Sequence, residues 1–567
     1  MSYYLKKTKL KKGLYLQIYE GHHDKIKGYT KSTLYRTIGY YNALVEQGIE
    51  DPIEYFKREV EELNLNLKVE KENEKANVRH ISSESYLKNV GYFPLKIILE
   101  DLGVKNYIDL FQSIRGFKFN LFEMISALVY SRVIAPCSKL QTHSEILPTL
   151  FKNYNFSYDQ ILEGCEFIGS EYEKFVELFT AQVQKKYEIN TKITYFDCTN
   201  FYFEIDREDS FRKNGPSKEN RKCPIVGLGL LLDEDMIPIG MKMYPGNQSE
   251  KPVFREVLTS LKSRNNIKGR TISVADKGLN SAENIIKAIK ECDGYIFSKS
   301  IKMLPETEKI WVLLNNDWHD VKHSDGSIYY SYKECIDKFP YTYTQEDGKK
   351  VQIELTEKRV VTYSPKLAQK QRYEILKMVE KARHMCASQA KRSEYGESSK
   401  YITFNKESDK KEKVIPSLND KAVDADLALC GYNLMITSEL NMSAMNIYSV
   451  YHNLWRIEES FKIMKSYLDA RPVFLQKEDT IKGHFFICYV GVLLTRLLQF
   501  KKLGNRYGTP ELVHFMKTYK IAKTGESEYF NYSLESKIID ALAVEFNIPL
   551  NNLLLSKAVL GKMKLLQ

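Results

Sequence analysis

The run Ile193-Thr194-Tyr195-Phe196-Asp197 decides the fold. It follows a long helical stretch, it is rich in β-branched and aromatic residues, and it ends in a carboxylate. It therefore reads as a strand tipped by an acid. Working outward, Ile225 to Leu232 and Met236 to Met243 are two apolar runs around Asp233-Glu234-Asp235, and they read as a hairpin. The acidic triplet could be imagined as a metal site, but turn chemistry accounts for it more simply. Pro245-Gly246-Asn247 makes another turn, and Pro252 to Leu261 a helix. Then Arg270-Thr271-Ile272-Ser273-Val274-Ala275-Asp276 repeats the first pattern, followed by Lys277-Gly278. A helix at Ser281 to Glu291 leads to the strand Tyr295-Ile296-Phe297-Ser298.

The order strand, hairpin pair, helix, strand, helix, strand predicts a mixed sheet. Antiparallel strands open it and parallel strand–helix units continue it. That is the order of the ribonuclease H-like fold, an α/β class. The core spans 190–300 and resumes over 429–500, where Tyr432-Asn433-Leu434-Met435-Ile436-Thr437 is a strand. Between them, 301–428 reads as a mainly β insertion with a basic helical arm at Lys366 to Lys391 and a highly charged stretch at Ser393 to Lys413. Its tyrosines, Tyr329, Tyr330, Tyr332, Tyr341 and Tyr343, suit stacking on nucleic acid and equally suit a solvated β-surface. Residues 83–187 read as a helical domain, a possible DNA contact, with apolar runs at Leu121 to Val133 and Phe175 to Val183 broken by Ala135-Pro136. Residues 1–80 form a small α+β module, with strands at Gly13 to Tyr19 and Lys31 to Tyr40, a helix at Asn42 to Leu63, and a charged linker at Lys68 to Val78. Residues 501–567 read as a helical tail.

Composition bounds the function. With 43% hydrophobic and 28% charged residues, the 567-residue chain is globular rather than disordered. The formal charge of +11 suits a polyanionic partner without requiring one. Nine dispersed cysteines, with no C-x-x-C pair, argue for reduced thiols and against a disulfide framework or a structural zinc site. No signal peptide follows the basic start, and the apolar run Phe485 to Leu494 is too short for a membrane span. A cytoplasmic protein, nucleoid-associated when bound to DNA and without a membrane partner, is the expectation.

A second stretch matters as much. Tyr451-His452-Asn453-Leu454-Trp455-Arg456-Ile457-Glu458-Glu459-Ser460-Phe461-Lys462-Ile463-Met464-Lys465-Ser466-Tyr467-Leu468 carries Leu454, Ile457, Phe461, Met464 and Leu468 at three- and four-residue steps. The spacing predicts one amphipathic helix. Seven residues miss two full turns by only about 20°, so Tyr451, Glu458 and Lys465 return to nearly one face. This is either a site or the charged flank of an ordinary helix. At roughly 100° per residue, Glu458 lies about 80° from the centre of the apolar stripe and Glu459 about 180° away, facing solvent. Glu458 is then the acid able to reach a sheet edge. Tyr451 and Lys465 are expected to grip DNA phosphates.

Asp197, Asp276 and Glu458 together make a candidate catalytic and metal-binding set. In a sheet with parallel neighbours, ligands collect at the carboxyl ends of strands. Three carboxylates without His or Cys favour Mg²⁺ or Mn²⁺. Such sites hold two ions about 3.5–4 Å apart for in-line displacement at phosphorus.

The chain resembles the insertion-sequence DDE transposases of the group carrying a Tyr-Arg-Glu-Lys signature. The matching stretches are Ile193 to Thr199, Gly227 to Gly229 with Pro238 to Gly240, Pro245-Gly246-Asn247, Val274 to Gly278, and Tyr451 to Pro472. The resemblance covers about residues 110 to 500. It implies a ribonuclease H-like core interrupted by a β insertion, and Asp197, Asp276 and Glu458 as metal ligands. It also implies cleavage of double-stranded DNA at terminal inverted repeats, attack of the freed 3′ hydroxyl on target DNA, and a homodimer in a synaptic complex. One position departs from the pattern: Leu454 stands where the signature has Arg, and Arg456 does not replace it. Three other readings remain: a transposase-derived DNA-binding protein without catalysis, a ribonuclease H-like nuclease without strand transfer, and a protein of structural interactions only.

Overall fold

The computed structural model describes residues 2–24, 29–77, 86–216, 223–263, 267, 269–345, 347–387, 396–406, 414–524 and 527–566. The chain divides into two compact units, Met1–Ser85 and Tyr86–Gln567.

In the first unit, three antiparallel strands lie side by side: β1 (Ser2–Leu10), β2 (Gly13–Asp24) and β3 (Tyr29–Tyr40). The helices α1 (Tyr41–Glu46) and α2 (Pro52–Asn77) follow, around a small centre of Leu16, Leu44 and Phe56. The sequence pattern misses β1 because its exposed Lys and Tyr residues carry little apolar signal. The single expected helix is two, because Asp51 caps a new start at Pro52 by accepting from the Ile53 and Glu54 N–H groups. The expected linker at Lys68 is helical as far as Asn77. Its Glu and Lys residues form helix well without needing burial.

The second unit begins with β4 (Leu87–Asn89), then α3 (Phe93–Asp101), α4 (Lys105–Arg115), α5 (Leu121–Ile134), α6 (Lys139–Gln141), α7 (Tyr158–Ser170) and α8 (Tyr172–Lys186). Helix α5 stops at Ala135-Pro136, where the proline ring disfavours helical geometry in the residue before it. Next come β5 (Ile193–Tyr202), β6 (Ile225–Leu232), β7 (Pro238–Pro245), α9 (Glu250–Ser263), β8 (Ile272–Ala275), α10 (Ala282–Lys290) and β9 (Gly294–Lys299). Their spatial order is β7-β6-β5-β8-β9, with β6 antiparallel to both β5 and β7, and β8 and β9 parallel to β5. This is the mixed sheet that the element order predicts. Every residue of β6 is buried, since helices cover both faces.

The segment 301–428 contributes α11 (Glu306–Leu313), β10 (His319–Lys322), β11 (Ile328–Thr344), β12 (Lys350–Tyr363), α12 (Pro365–Ala387), β13 (Ile402–Lys406), β14 (Val414–Leu418) and α13 (Asp420–Ala428). Parts of its basic arm and charged stretch, 388–395 and 407–413, lie outside the described residues. Its three longer-range strands do not stand apart. Strand β15 (Tyr432–Thr437) pairs with β9 on one side and β12 on the other, so the sheet runs on as β9-β15-β12-β11-β10 to nine strands.

Then follow α14 (Ala444–His452), α15 (Trp455–Lys462), a π-helical turn over Ile463–Tyr467, and α16 (Glu478–Arg496). Helix α16, with its π extension to Lys502, is long and apolar enough to cross a membrane, yet it is packed inside the protein. It lies so close to α7 that a Cβ on Gly483 would fall 2.0 Å from the Cys165 carbonyl oxygen. The expected helical tail also holds strands. After α17 (Thr509–Thr518) come β16 (Lys520–Lys523) and β17 (Glu528–Asn531), α18 (Lys537–Phe546), β18 (Leu554–Ser556) and α19 (Lys557–Lys562). The order β18-β17-β16-β4 ties the tail to the start of the unit. Strands of three or four residues are too short to show an alternation of their own.

Candidate active site

Sheet register brings the two acids level, although Asp197 is not the tip of its strand: β5 runs on to Tyr202 because Cys198 to Tyr202 keep pairing with β6. Tyr195 pairs with Val274, and Ala275 with Phe297, both in parallel ladders. Continuing those ladders, Asp197, Asp276 and Ser298 stand side by side on three neighbouring strands. Side chains alternate between faces. Asp197 therefore shares a face with Tyr195 and Phe201, Asp276 with Val274, and Ser298 with Ile296. These apolar neighbours all belong to the core that also takes in α15 and α16. Phe196, Cys198, Ala275 and Phe297 belong to the core on the opposite face. Between Ile193 and Phe201, Asp197 alone keeps partial exposure.

The helical stretch over this face is not one helix. Helix α14 ends at His452, and three tighter bonds follow: Leu454 N–H to Tyr451 O, Arg456 N–H to Asn453 O and Ile457 N–H to Leu454 O, each 3.0 Å. Asn453, which acts on the Tyr195 hydroxyl of β5, sits at the break. Asn is a poor helix former because its side chain competes for nearby backbone groups. After α15, Leu468 N–H reaches back to Ile463 O at 2.8 Å, the wider bond of a π turn. A uniform 100° per residue therefore does not hold from Tyr451 to Lys465. The apolar stripe survives: Ile457, Phe461, Met464 and Leu468 are buried and Leu454 packs at the core edge. Each such side chain contributes about 1.5–3 kcal/mol by leaving water.

Tyr451 and Lys465 both reach the carboxylate-bearing face. The Tyr451 hydroxyl donates to Asp276 Oδ1 at 3.2 Å, beside the Ser298 hydroxyl, which donates to the same oxygen at 2.8 Å. Burial, then the neighbouring Asp276 and Asp197 carboxylates, push the Tyr451 phenol well above its ordinary pKa, so it stays a neutral donor. Its hydroxyl thus orients an acid, a different task from the expected phosphate grip. The Lys465 ammonium lies 5.3 Å from the centre of the Phe201 ring.

The structure redraws the paired glutamates. Glu458 is exposed on α15. Glu459, expected in solvent, is only partly exposed and meets the guanidinium of fully buried Arg496 at 3.4 Å. That guanidinium also donates to Ser460 Oγ at 3.2 Å and Gln499 Oε1 at 2.7 Å. The partner comes from α16, which helix phase alone cannot see. Leu454 carries no charge to replace the signature Arg, and Arg456 lies by Trp455 with an electrostatic effect on Tyr195.

Two clefts flank Asp276-Lys277-Gly278. One, of about 480 Å³, is lined by Asp276, Ser298 and Tyr451 together with Lys277, Lys299, Lys302 and Lys400. The other, of about 570 Å³, brings together Gly227, Gly246, Asn247 and Gly278, residues of three separated motifs. At Gly246 a Cβ would lie 2.2 Å from Ile225 O, so the turn admits only glycine. The acidic triplet is turn chemistry: Asp233 Oδ1 accepts from the Ile237 N–H at 2.7 Å. Sequence reasoning missed Ser298, whose only signal was a polar residue ending an apolar strand, and Lys302 and Lys400, which had none. Of the tyrosines in the insertion, Tyr341 is buried and donates to Glu357 at 2.5 Å, and Tyr330 is buried against Tyr448. Those two serve packing; Tyr329 remains half exposed.

Asp197 and Asp276 offer hard carboxylate oxygens, which suit a divalent cation such as Mg²⁺ or Mn²⁺. Among the described residues, no three acids, histidines or cysteines converge into a ready cage. A family model described as Transposase DDE domain matches residues 191–494, more than half of the chain. No curated protein matches the chain.

Proposed function

The chain belongs to the transposase DDE domain family, and from that premise we propose that it cuts the ends of a mobile DNA element and joins the freed 3′ hydroxyl to target DNA. The observation that carries this reading is the level placement of Asp197 and Asp276 on adjacent parallel strands, with Tyr451 of the signature stretch bonded to Asp276. The strand order β7-β6-β5-β8-β9 supports a ribonuclease H-like core. In this reading Asp197, Asp276 and Glu458 hold Mg²⁺ or Mn²⁺, two ions in all. Bound there, the ions would activate the attacking oxygen and stabilise the leaving one.

The chain's own residues set the stage for that chemistry. Tyr451 and Ser298 hold one oxygen of Asp276 and leave the other oriented toward the cleft. Lys277, next to Asp276, brings positive charge to the cleft, where Lys302 and Lys400 together face the single carboxylate of Asp426. Lys465, placed over Phe201, supplies charge beside Asp197. A homodimer bridging two DNA ends completes the proposal.

The test is cleavage and strand transfer of element-end DNA with Mg²⁺, Mn²⁺, Ca²⁺ or excess chelator. Cleavage is expected with the first two, and binding without cleavage with Ca²⁺. Full activity in chelator sinks the metal reading. Cleavage without joining of pre-cut ends would make the protein a nuclease instead.

A further inference from the structure

A second basic cleft lies where α5 and α6 meet the segment after the π turn. The chain bends by 107° between Leu121–Ile134 and Lys139–Thr149, at Ala135-Pro136. The bend brings Arg132 and Lys139 to one cleft, and each is only 5% exposed. They line a space of about 400 Å³ whose other wall is Pro472 to Leu475.

Among the described residues neither Arg132 nor Lys139 forms an ion pair. Arg132 donates to two neutral acceptors, Cys137 O at 2.8 Å and Asp469 O at 3.5 Å. The groups that act most on Lys139 are Arg132 and the thiols of Cys165, Cys488 and Cys137; no carboxylate is among them. Burial pushes the Cys165 and Cys488 thiols up, so they are neutral and offer no counter-charge. His484 also lines the space. Burial and the two cations hold its imidazole well below its ordinary pKa, and it faces Ala470 O at 3.0 Å. Burial pushes the Lys139 ammonium below its ordinary pKa, as expected for a buried cation without a counter-charge, and a fold that keeps Lys139 and Arg132 beside an open space is arranged for an anion.

We propose that this cleft binds a phosphate group, held by Lys139 and Arg132. Its position favours a backbone phosphate of DNA over free phosphate. Pro472 to Leu475, one wall of the cleft, follow in sequence on the stretch that carries Glu458 and Lys465. Phe474 exposes 72% of its surface at the lip, where a ring can stack on the adjacent base. Phosphate binding rests on the cleft's own charge, and the choice of DNA as its source rests on the proposed function.

The test follows thermal unfolding of the full chain in inorganic phosphate against chloride at matched ionic strength. It also follows the salt dependence of binding to a duplex oligonucleotide. Wild type, Lys139→Met and Lys139→Arg are compared. Phosphate should raise the Tm of wild type and Lys139→Arg and leave Lys139→Met unmoved. Without phosphate, Lys139→Met should be at least as stable as wild type. The slope of log affinity against log salt should fall by about one unit in Lys139→Met. Lost phosphate protection with an unchanged slope assigns the cleft to free phosphate; loss of both assigns it to DNA. The proposal is overturned if phosphate protects wild type no better than chloride and the slope is unchanged, or if protection survives in Lys139→Met. The wild-type comparison stands even if a variant does not fold.

Discussion

The two faces of the nine-stranded sheet treat charge in opposite ways. On one face, fully buried Glu357 accepts from the Tyr295 hydroxyl at 2.9 Å and the Tyr341 hydroxyl at 2.5 Å, and pairs with Arg359 Nε at 2.8 Å. Arg359 also meets Glu308 and lies over the Phe339 ring. These partners come from β9, β11, β12 and α11, so the network ties the later strands to the earlier ones. On the other face, Asp197 stands in mid-strand on β5 and Asp276 just past the end of β8, with Asp276 lining an open cleft. The difference teaches where to look for function. A buried charge surrounded by its own partners serves the fold, whereas acids kept level at a cleft are available to a ligand.

The largest expected effect breaks the second face. Asp276→Asn and Glu458→Gln should each lower DNA cleavage by about 10³-fold, the scale of losing one charge-stabilising group, with DNA binding retained. Cleavage near the wild-type rate in both would move the site elsewhere. Next, Glu357→Ala should cost about 3–5 kcal/mol in urea unfolding, because it strands the Arg359 charge. If stability holds and cleavage disappears, the two faces have been assigned the wrong way round.

Tyr451→Phe sharpens the contrast. It removes one neutral donor from Asp276 and should cost about 1 kcal/mol in the cleavage barrier, roughly fivefold in rate, with little change in Tm. No change in rate would mean that Ser298 alone holds that oxygen. Glu459→Gln should cost at most about 1 kcal/mol of stability through Arg496 and leave cleavage intact. A cleavage-dead Glu459→Gln would exchange the roles of the neighbouring glutamates. The smallest effect is that of Lys465→Ala, which should lower the salt slope of end binding by about one unit. An unchanged slope would place Lys465 away from DNA.

Much of this was legible in the chain alone. The two acid-bearing strands, the hairpin, the buried apolar helix and the stripe on α15 all rest on spacings within a few residues, which periodicity reports directly; that β5 runs five residues past Asp197 does not. Other features were not legible because they depend on distant partners. The break at Asn453 lies where the stretch meets Tyr195 of β5. The setting of Glu459 follows from Arg496 on α16. The short strands of the tail exist because β4, more than 400 residues earlier, gives them an edge to pair with.

The sequence by itself determined which strands carry an acid, which face of each element is apolar, and the order of strands and helices in the first half of the core. Those properties follow from side-chain chemistry and from the fixed periods of helix and strand. Only the tertiary structure decided that Asp197, Asp276 and Ser298 stand level, that the later strands extend one sheet through β15, and that Arg132 and Lys139 line one cleft across a bend. Register, edge pairing and chain bends are chosen by which apolar surfaces bury against each other over long separations. No local pattern carries that information.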